Sequence, residues 1–196
     1  MNTSTLDTIC VFCGSRSGTR PEFHTAAIEL GEQMAARGIG LVYGGASVGL
    51  MGATADASLR RGGRVFGFIP AWLDKREIAH ANLTELTVVD TMHERKRLMG
   101  EKSSAFIAMP GGFGTFDELF EVLTWAQIGI HKKPIGILNT ANYFDPFLRL
   151  VDHAVVEGFA QEMNRALFVV EKEPAALLAA LERFSSPAES NKWERT

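Results

Sequence analysis

Residues 105–118 read Ala-Phe-Ile-Ala-Met-Pro-Gly-Gly-Phe-Gly-Thr-Phe-Asp-Glu, and the order of those residue types decides the architecture. The apolar run at 105–109 suits a strand buried on both faces. Pro110-Gly111-Gly112 breaks the run, and helical spacing is expected over 115–128. A strand that passes through a glycine turn into a helix is half of a βαβ unit. The same order occurs twice upstream. Residues 8–12 run into Cys13-Gly14-Ser15-Arg16-Ser17-Gly18 ahead of a helical stretch at 21–36, where Phe23, Ala27, Leu30 and Met34 share a face. Residues 39–43 run into Gly44-Gly45-Ala46-Ser47-Val48-Gly49 ahead of a helix over 47–59. Working outward, the pattern predicts further strands at 64–69, 83–89, 134–138 and 167–170. It predicts helices at 92–103, 144–156 and 174–184, with an irregular polar stretch at 71–82. This alternation argues for an α/β fold: a single Rossmann-like domain over residues 1–185. Its central sheet is mostly parallel, of about seven strands, with helices on both faces. Residues 186–196 are polar and lack apolar periodicity, and are expected to form a disordered tail.

Composition narrows the function classes. The 196 residues are 46% hydrophobic and 22% charged. A chain of this length buries roughly 70% of its unfolded surface and needs no disulfide or metal to hold a core. Twenty basic against 23 acidic residues give a net charge of -3, without basic runs, so no nucleic-acid partner is expected. No apolar stretch approaches the roughly 18 residues of a membrane span, and the first residues lack a signal-peptide pattern. Two cysteines and these absences point to the cytoplasm.

In a parallel sheet, ligands bind beyond the carboxyl ends of the strands. Three glycine-rich loops there, each opening a helix, suggest a phosphate-bearing ligand held by helix N-terminal amides. Ser15, Gly44 and Gly45 are candidate contacts from the first two loops. Glycine in βα turns also serves tight turning alone. The dinucleotide fingerprint G-x-G-x-x-G is absent after the first strand, and no carboxylate ends the second. The 44–49 spacing resembles a P-loop, but Leu50 stands where lysine belongs. Dehydrogenase and NTPase readings are both weak.

Glu118 falls one turn into the helix of the third loop. Beside a bound phosphate its pKa would rise, which suits acid–base work. Thr115-x-x-Glu118 also has the form of a capping box, which would give Glu118 a structural role. The run Met92-His93-Glu94-Arg95-Lys96-Arg97 places three basic residues at the start of a helix. It reads either as a solvated first turn or as an anion clamp. Arg95 and Arg97 lie about 200° apart around a helix, so only one faces a cleft. Arg95 shares a face with Met92 and Met99 and is the inward candidate. Cys10-x-x-Cys13 matches a redox motif only in letters, because an offset of three on a strand points to opposite faces. The five histidines are scattered without ligand spacing, and no metal site is expected.

Tyr43-Gly44-Gly45-Ala46-Ser47-Val48-Gly49-Leu50-Met51-Gly52, Glu94-Arg95-Lys96, the 110–118 loop and Trp125-Ala126-Gln127-Ile128-Gly129-Ile130-His131-Lys132-Lys133-Pro134 together resemble the Lonely Guy family of cytokinin riboside 5'-monophosphate phosphoribohydrolases. The resemblance runs from about Ile9 to Leu150. It implies a Rossmann-like fold, a homodimer, no cofactor, and cleavage of the N-glycosidic bond of purine nucleoside 5'-monophosphates. By motif position it implies Arg95 and Glu118 as the catalytic pair. It implies Glu77, Lys96, Gly112, Phe113, Gly114, Thr115, Phe116, Asp117 and Thr124 as substrate contacts. Ala46 departs from the family, which usually has a third glycine there. Members have also carried the label lysine decarboxylase, but no pyridoxal-phosphate lysine context is recognisable. The alternative function is a non-catalytic nucleotide-binding module on the same fold. A transferase passing ribose phosphate to another acceptor is a weaker third reading.

Overall fold

The computed structural model describes residues 6–74 and 78–187. Seven strands form one sheet: β1 Thr8–Phe12, β2 Gly40–Tyr43, β3 Val65–Pro70, β4 Glu85–Val89, β5 Ala105–Ala108, β6 Ile135–Leu138 and β7 Val169–Glu171. Their order is β4-β3-β2-β1-β5-β6-β7, and every adjacent pair is parallel. The helices are α1 Pro21–Ala36, α2 Gly49–Arg60, α3 Ala71–Asp74, α4 Met92–Lys102, α5 Phe113–Gln127, α6 Asp145–Val156 and α7 Pro174–Glu182.

Alternation along β1 divides the core. Ile9 and Val11 face α1, α2 and α7, where Phe23, Leu30, Leu50 and Leu177 pack. Cys10 and Phe12 face the opposite layer, with Met99 of α4, Leu119 and Val122 of α5, and Phe147 of α6. Residues one apart on a strand point to opposite faces, so an apolar run without alternation was the correct sign of two covered faces. Cys10 and Cys13 accordingly belong to the cores of opposite faces, and both are free.

The chain first builds outward from β1 to the β4 edge. Helix α4 then carries it back to β5, on the other side of β1. The direction of winding reverses between β1 and β5, so the loops that follow these two strands diverge and leave a crevice. The loops are tied together at its base. Gly14 N–H donates to the Pro110 carbonyl (3.0 Å), and Leu50 N–H donates to the Gly14 carbonyl (3.0 Å).

Three local readings differ from the sequence expectation. Helix α5 begins at Phe113, two residues before Thr115, with Gly112 as its N-cap. A Thr115–Glu118 capping box is therefore excluded, because Thr115 lies inside the helix. The 71–82 stretch is not wholly irregular. After α3, it folds back over the second glycine loop: Ala79 bridges Ala46 antiparallel, the Ser47 amide donates to the Ile78 carbonyl, and the His80 amide donates to the Gly45 carbonyl. His80 Nε2 and Asp56 Oδ1, 3.0 Å apart, pin it to α2. Glu162–Leu167 forms 3-10 turns, so the last strand begins at Val169 rather than at 167. Residues 188–196, most of the expected tail, lie outside the described residues.

Candidate active site

Helix α4 is set by its cap. The Thr91 hydroxyl accepts from the Glu94 amide (3.1 Å), and Glu94 Oε2 reaches back to the Asp90 amide (3.3 Å). This start fixes the helix phase and turns Arg95 inward with Met99, as the spacing required. Arg95 is only 9% exposed. Its Nε donates to the Phe68 carbonyl of β3 (3.0 Å), and its Nη1 donates to Glu118 Oε1 (3.0 Å). Glu118, 7% exposed, enters from the first turns of α5. The two helices thus bring opposite charges together beneath the sheet's carboxyl edge.

The guanidinium needs room that only one residue type supplies. A Cβ on Gly44 would lie 2.0 Å from Arg95 Nη2 and 3.1 Å from Met51 Sδ. Gly44 is therefore a seat for Arg95 as well as part of the cavity wall.

The pair lies at a cavity of about 380 Å³. On one side stand Gly14 and Ser15, with Gly112, Phe113, Gly114 and Thr115 of the α5 start. The α5 N-terminus has no side-chain cap and no acidic residue in its first turn. Its first amides lack intrahelical acceptors and carry the positive end of the helix dipole, which suits an anion. The other side is apolar, formed by Val48, Met51, Ile69, Leu73 and Ile78. Ala46 also lines it, so its methyl group narrows the cavity relative to glycine. Phe113 is 92% exposed at the rim.

Glu118 is held above the usual carboxylate range. Burial is the main cause and Asp117 adds to it, against the opposing pull of Arg95 and Lys96. Cys13 also lines the cavity. Burial first, and then the Glu118 charge, push its thiol far up, with Arg95 opposing. It stays protonated and is not a nucleophile.

The remaining expected contacts lie elsewhere. Lys96 Nζ pairs with Asp117 Oδ2 and Glu121 Oε1, both at 3.0 Å, forming a second tie between α4 and α5. Burial works to lower its pKa, but the bonds to Glu121 and Asp117 outweigh that and raise it. Gly45 packs toward Ile69 and Leu86. Phe116 packs against the α4–α5–α6 core. Thr124 donates to the Phe120 carbonyl (2.7 Å) and lines a separate apolar groove, about 9 Å along α5 from Glu118. Glu77 lies outside the described residues. Sequence reading missed the apolar wall from Leu73 and Ile78, because its residues come from a segment without periodicity.

Known proteins match this chain closely. A family model described as "Possible lysine decarboxylase" matches residues 51–181. The probable cytokinin riboside 5'-monophosphate phosphoribohydrolase LOGL2 of Oryza sativa subsp. japonica is 47% identical over 190 residues, covering 95% of this chain and 78% of that protein. The cytokinin riboside 5'-monophosphate phosphoribohydrolase LOG2 of Arabidopsis thaliana is 48% identical over 176 residues, covering 90% and 83%. Among solved structures, the molybdenum cofactor carrier protein of Chlamydomonas reinhardtii superposes with a TM-score of 0.69 at 23% identity, covering 91% of this chain and 98% of that one. That likeness shows the fold alone. The near-half identity spans at least 90% of the chain, and the chain belongs to the Lonely Guy family of cytokinin riboside 5'-monophosphate phosphoribohydrolases.

Proposed function

We propose that this protein is a hydrolase that cleaves the N-glycosidic bond of purine nucleoside 5'-monophosphates, giving free base and ribose 5-phosphate. The observation that carries the reading is the buried Arg95–Glu118 pair, 3.0 Å apart, in a cavity that also holds an uncapped helix N-terminus. The 5'-phosphate sits on the amides of residues 112–115, and the ribose lies over Glu118. Breaking the C1'–N9 bond leaves an oxocarbenium-like sugar, which an adjacent carboxylate stabilises. Glu118 takes a proton from the water whose oxygen adds to C1' as the C1'–N9 bond breaks; that proton passes through solvent to the base nitrogen, so that neutral base leaves and the carboxylate is regenerated. Arg95 holds the carboxylate in place, and its charge opposes the burial that favours protonation. Phosphate binding, remote from the reacting bond, positions that bond for attack.

The relatives are named for cytokinin riboside 5'-monophosphates, and the Met51–Ile69–Leu73–Ile78 wall suits an apolar group on the base. AMP is a smaller substrate for the same site. The test is chromatography of products from AMP and from isopentenyladenosine monophosphate. Free base and ribose 5-phosphate are expected, with the prenylated nucleotide preferred. Nucleotide binding without base release would instead make the protein a binding module. Ribose phosphate recovered on an acceptor other than water would make it a transferase.

A lysine decarboxylase activity fits poorly. Pyridoxal phosphate needs a lysine amine in the cavity, and among the described residues that line it the only cationic side chain is Arg95. Lys96 is engaged by two carboxylates outside it.

The reading includes a homodimer. Phe120, Leu150, Val156 and Phe159 are exposed on or just beyond α5 and α6, beside the groove that Thr124 lines. A second copy seated there covers this apolar surface and gives Thr124 a route to a substrate in the other subunit. Leu150→Glu, at a position 56% exposed, should fold normally yet sediment as a monomer where the wild type sediments as a dimer. A monomeric wild type would remove the homodimer. A nucleotide substrate and two free cysteines fit the cytoplasm.

A further inference from the structure

Tyr143 takes no part in the chemistry above, yet the chain goes to unusual lengths to place it. Ala141 (φ 54) and Asn142 (φ 62), immediately before it, both adopt the left-handed region without being glycine. L-residues adopt that conformation at a cost and keep it only when their surroundings impose it. Here four bonds impose it. Asn139 Oδ1 accepts from the Phe144 amide (2.7 Å), and Asn139 Nδ2 donates to Asp145 Oδ1 (2.8 Å). The Asn142 amide donates to the Asn139 carbonyl (3.1 Å), and Arg20 Nη1 donates to the Ala141 carbonyl (3.2 Å). The turn delivers the Tyr143 ring edge-on against Phe23 and Phe144. Its hydroxyl then donates to the Gly111 carbonyl.

That carbonyl belongs to the peptide whose N–H is that of Gly112, the N-cap of α5. A trans peptide is planar, with its C=O and N–H pointing in opposite directions. Fixing the Gly111 carbonyl therefore fixes the direction of the Gly112 N–H. Thr115 of α5 packs close against Gly111, where a Cβ would stand 2.1 Å from Thr115 Oγ1. We propose that Tyr143 is a positioning residue for the substrate's phosphate, holding the Gly112 amide as a pre-aimed donor. The proposal rests on the reading of the α5 N-terminus as the 5'-phosphate site.

The test is Tyr143→Phe in the full chain, which keeps the ring and removes the hydroxyl. AMP and adenosine turnover would be measured, together with calorimetric binding of ribose 5-phosphate. A charge-assisted bond weakened by misalignment should raise KM for AMP and the Kd of ribose 5-phosphate about tenfold. Expected with it are kcat within about twofold and slow adenosine cleavage unchanged. Unchanged KM and Kd would overturn the proposal, as would a fall in kcat at constant KM. A parallel loss on AMP and adenosine would mark a structural role and overturn it too. A wild type that neither binds ribose 5-phosphate nor prefers AMP to adenosine would fail before the variant is made, and would refute the phosphate reading itself.

Discussion

Glu118→Gln is expected to lower the rate of base release about a thousandfold, with KM within about threefold of the wild type, by chromatography of products under saturating nucleotide. Glutamine matches glutamate in size, and its carbonyl oxygen still accepts the Arg95 Nη1 bond seen at 3.0 Å. The substitution therefore removes the negative charge and the proton acceptor and little else. Both matter only as the C1'–N9 bond opens, so the loss belongs in kcat. The pH profile gives an independent reading. Burial, aided by Asp117 and opposed by Arg95 and Lys96, holds Glu118 above the ordinary carboxylate value of 4.5. In the proposed mechanism the active form is the carboxylate. As pH falls through that raised value, the group takes up a proton and activity is lost, so the acid limb of kcat/KM lies above 4.5. The residual activity of Glu118→Gln should lack this limb. A full rate in the glutamine variant would sink the assignment of Glu118 to the chemistry.

Gly44→Ala should cost about a hundredfold in kcat/KM while leaving the melting temperature close to wild type. Nothing about an alanine is foreign to a strand end, and the predicted damage is purely one of space. The new methyl carbon would lie 2.0 Å from Arg95 Nη2, an overlap that something must relieve. The guanidinium is the far end of a flexible side chain, so it moves more cheaply than the backbone of β2. Moving it breaks the bonds to Phe68 and Glu118 together. The fold thus survives and the Arg95–Glu118 pair does not. Arg95→Lys, which lacks the Nη2 atom, supplies the control. If the clash acts through Arg95, adding Gly44→Ala to Arg95→Lys should cost no more than about threefold beyond the single change. Equal losses in both backgrounds would show that Gly44 acts by another route.

Much of this arrangement is legible in the linear sequence, for identifiable reasons. Unbroken apolar runs such as Ile9 to Phe12 betray strands covered on both faces, and the glycine turns after them locate the ligand edge. Helical spacing alone distinguishes inward Arg95 from Arg97, whose guanidinium pairs with Glu101 in solvent at 2.7 Å. What the sequence conceals is set by contacts between distant segments. Thr115-x-x-Glu118 looks like a cap because the pattern is local. Gly112 is the N-cap instead, which frees Glu118 for a partner 23 residues away. Gly44 reads as a loop glycine among others, and only the packed guanidinium shows why no methyl fits there. Lys96 and Asp117, both expected at the substrate, bond to each other across the α4–α5 seam, a contact that neither local pattern encodes.

The reversal of winding at β1 also has a consequence for how the chain folds. Strand β1 has its β2 partner, through Ile9 and Leu41, early in the chain, but its other edge waits for Ala105 and its neighbours in β5. At about 5–20 residues per second, that partner emerges about 5–20 s later. Through this interval the central strand of the future sheet carries an open, apolar edge, the type of surface that recruits a wrong strand. Non-local parallel pairing of this kind makes folding slow, because loop closure precedes the contacts that reward it. The Arg95–Glu118 pair joins the one helix that spans this gap to the helix that follows β5. The Arg95–Glu118 pair therefore forms only once β5 and α5 have joined β1, and recovery of activity during refolding reports that step or a later one.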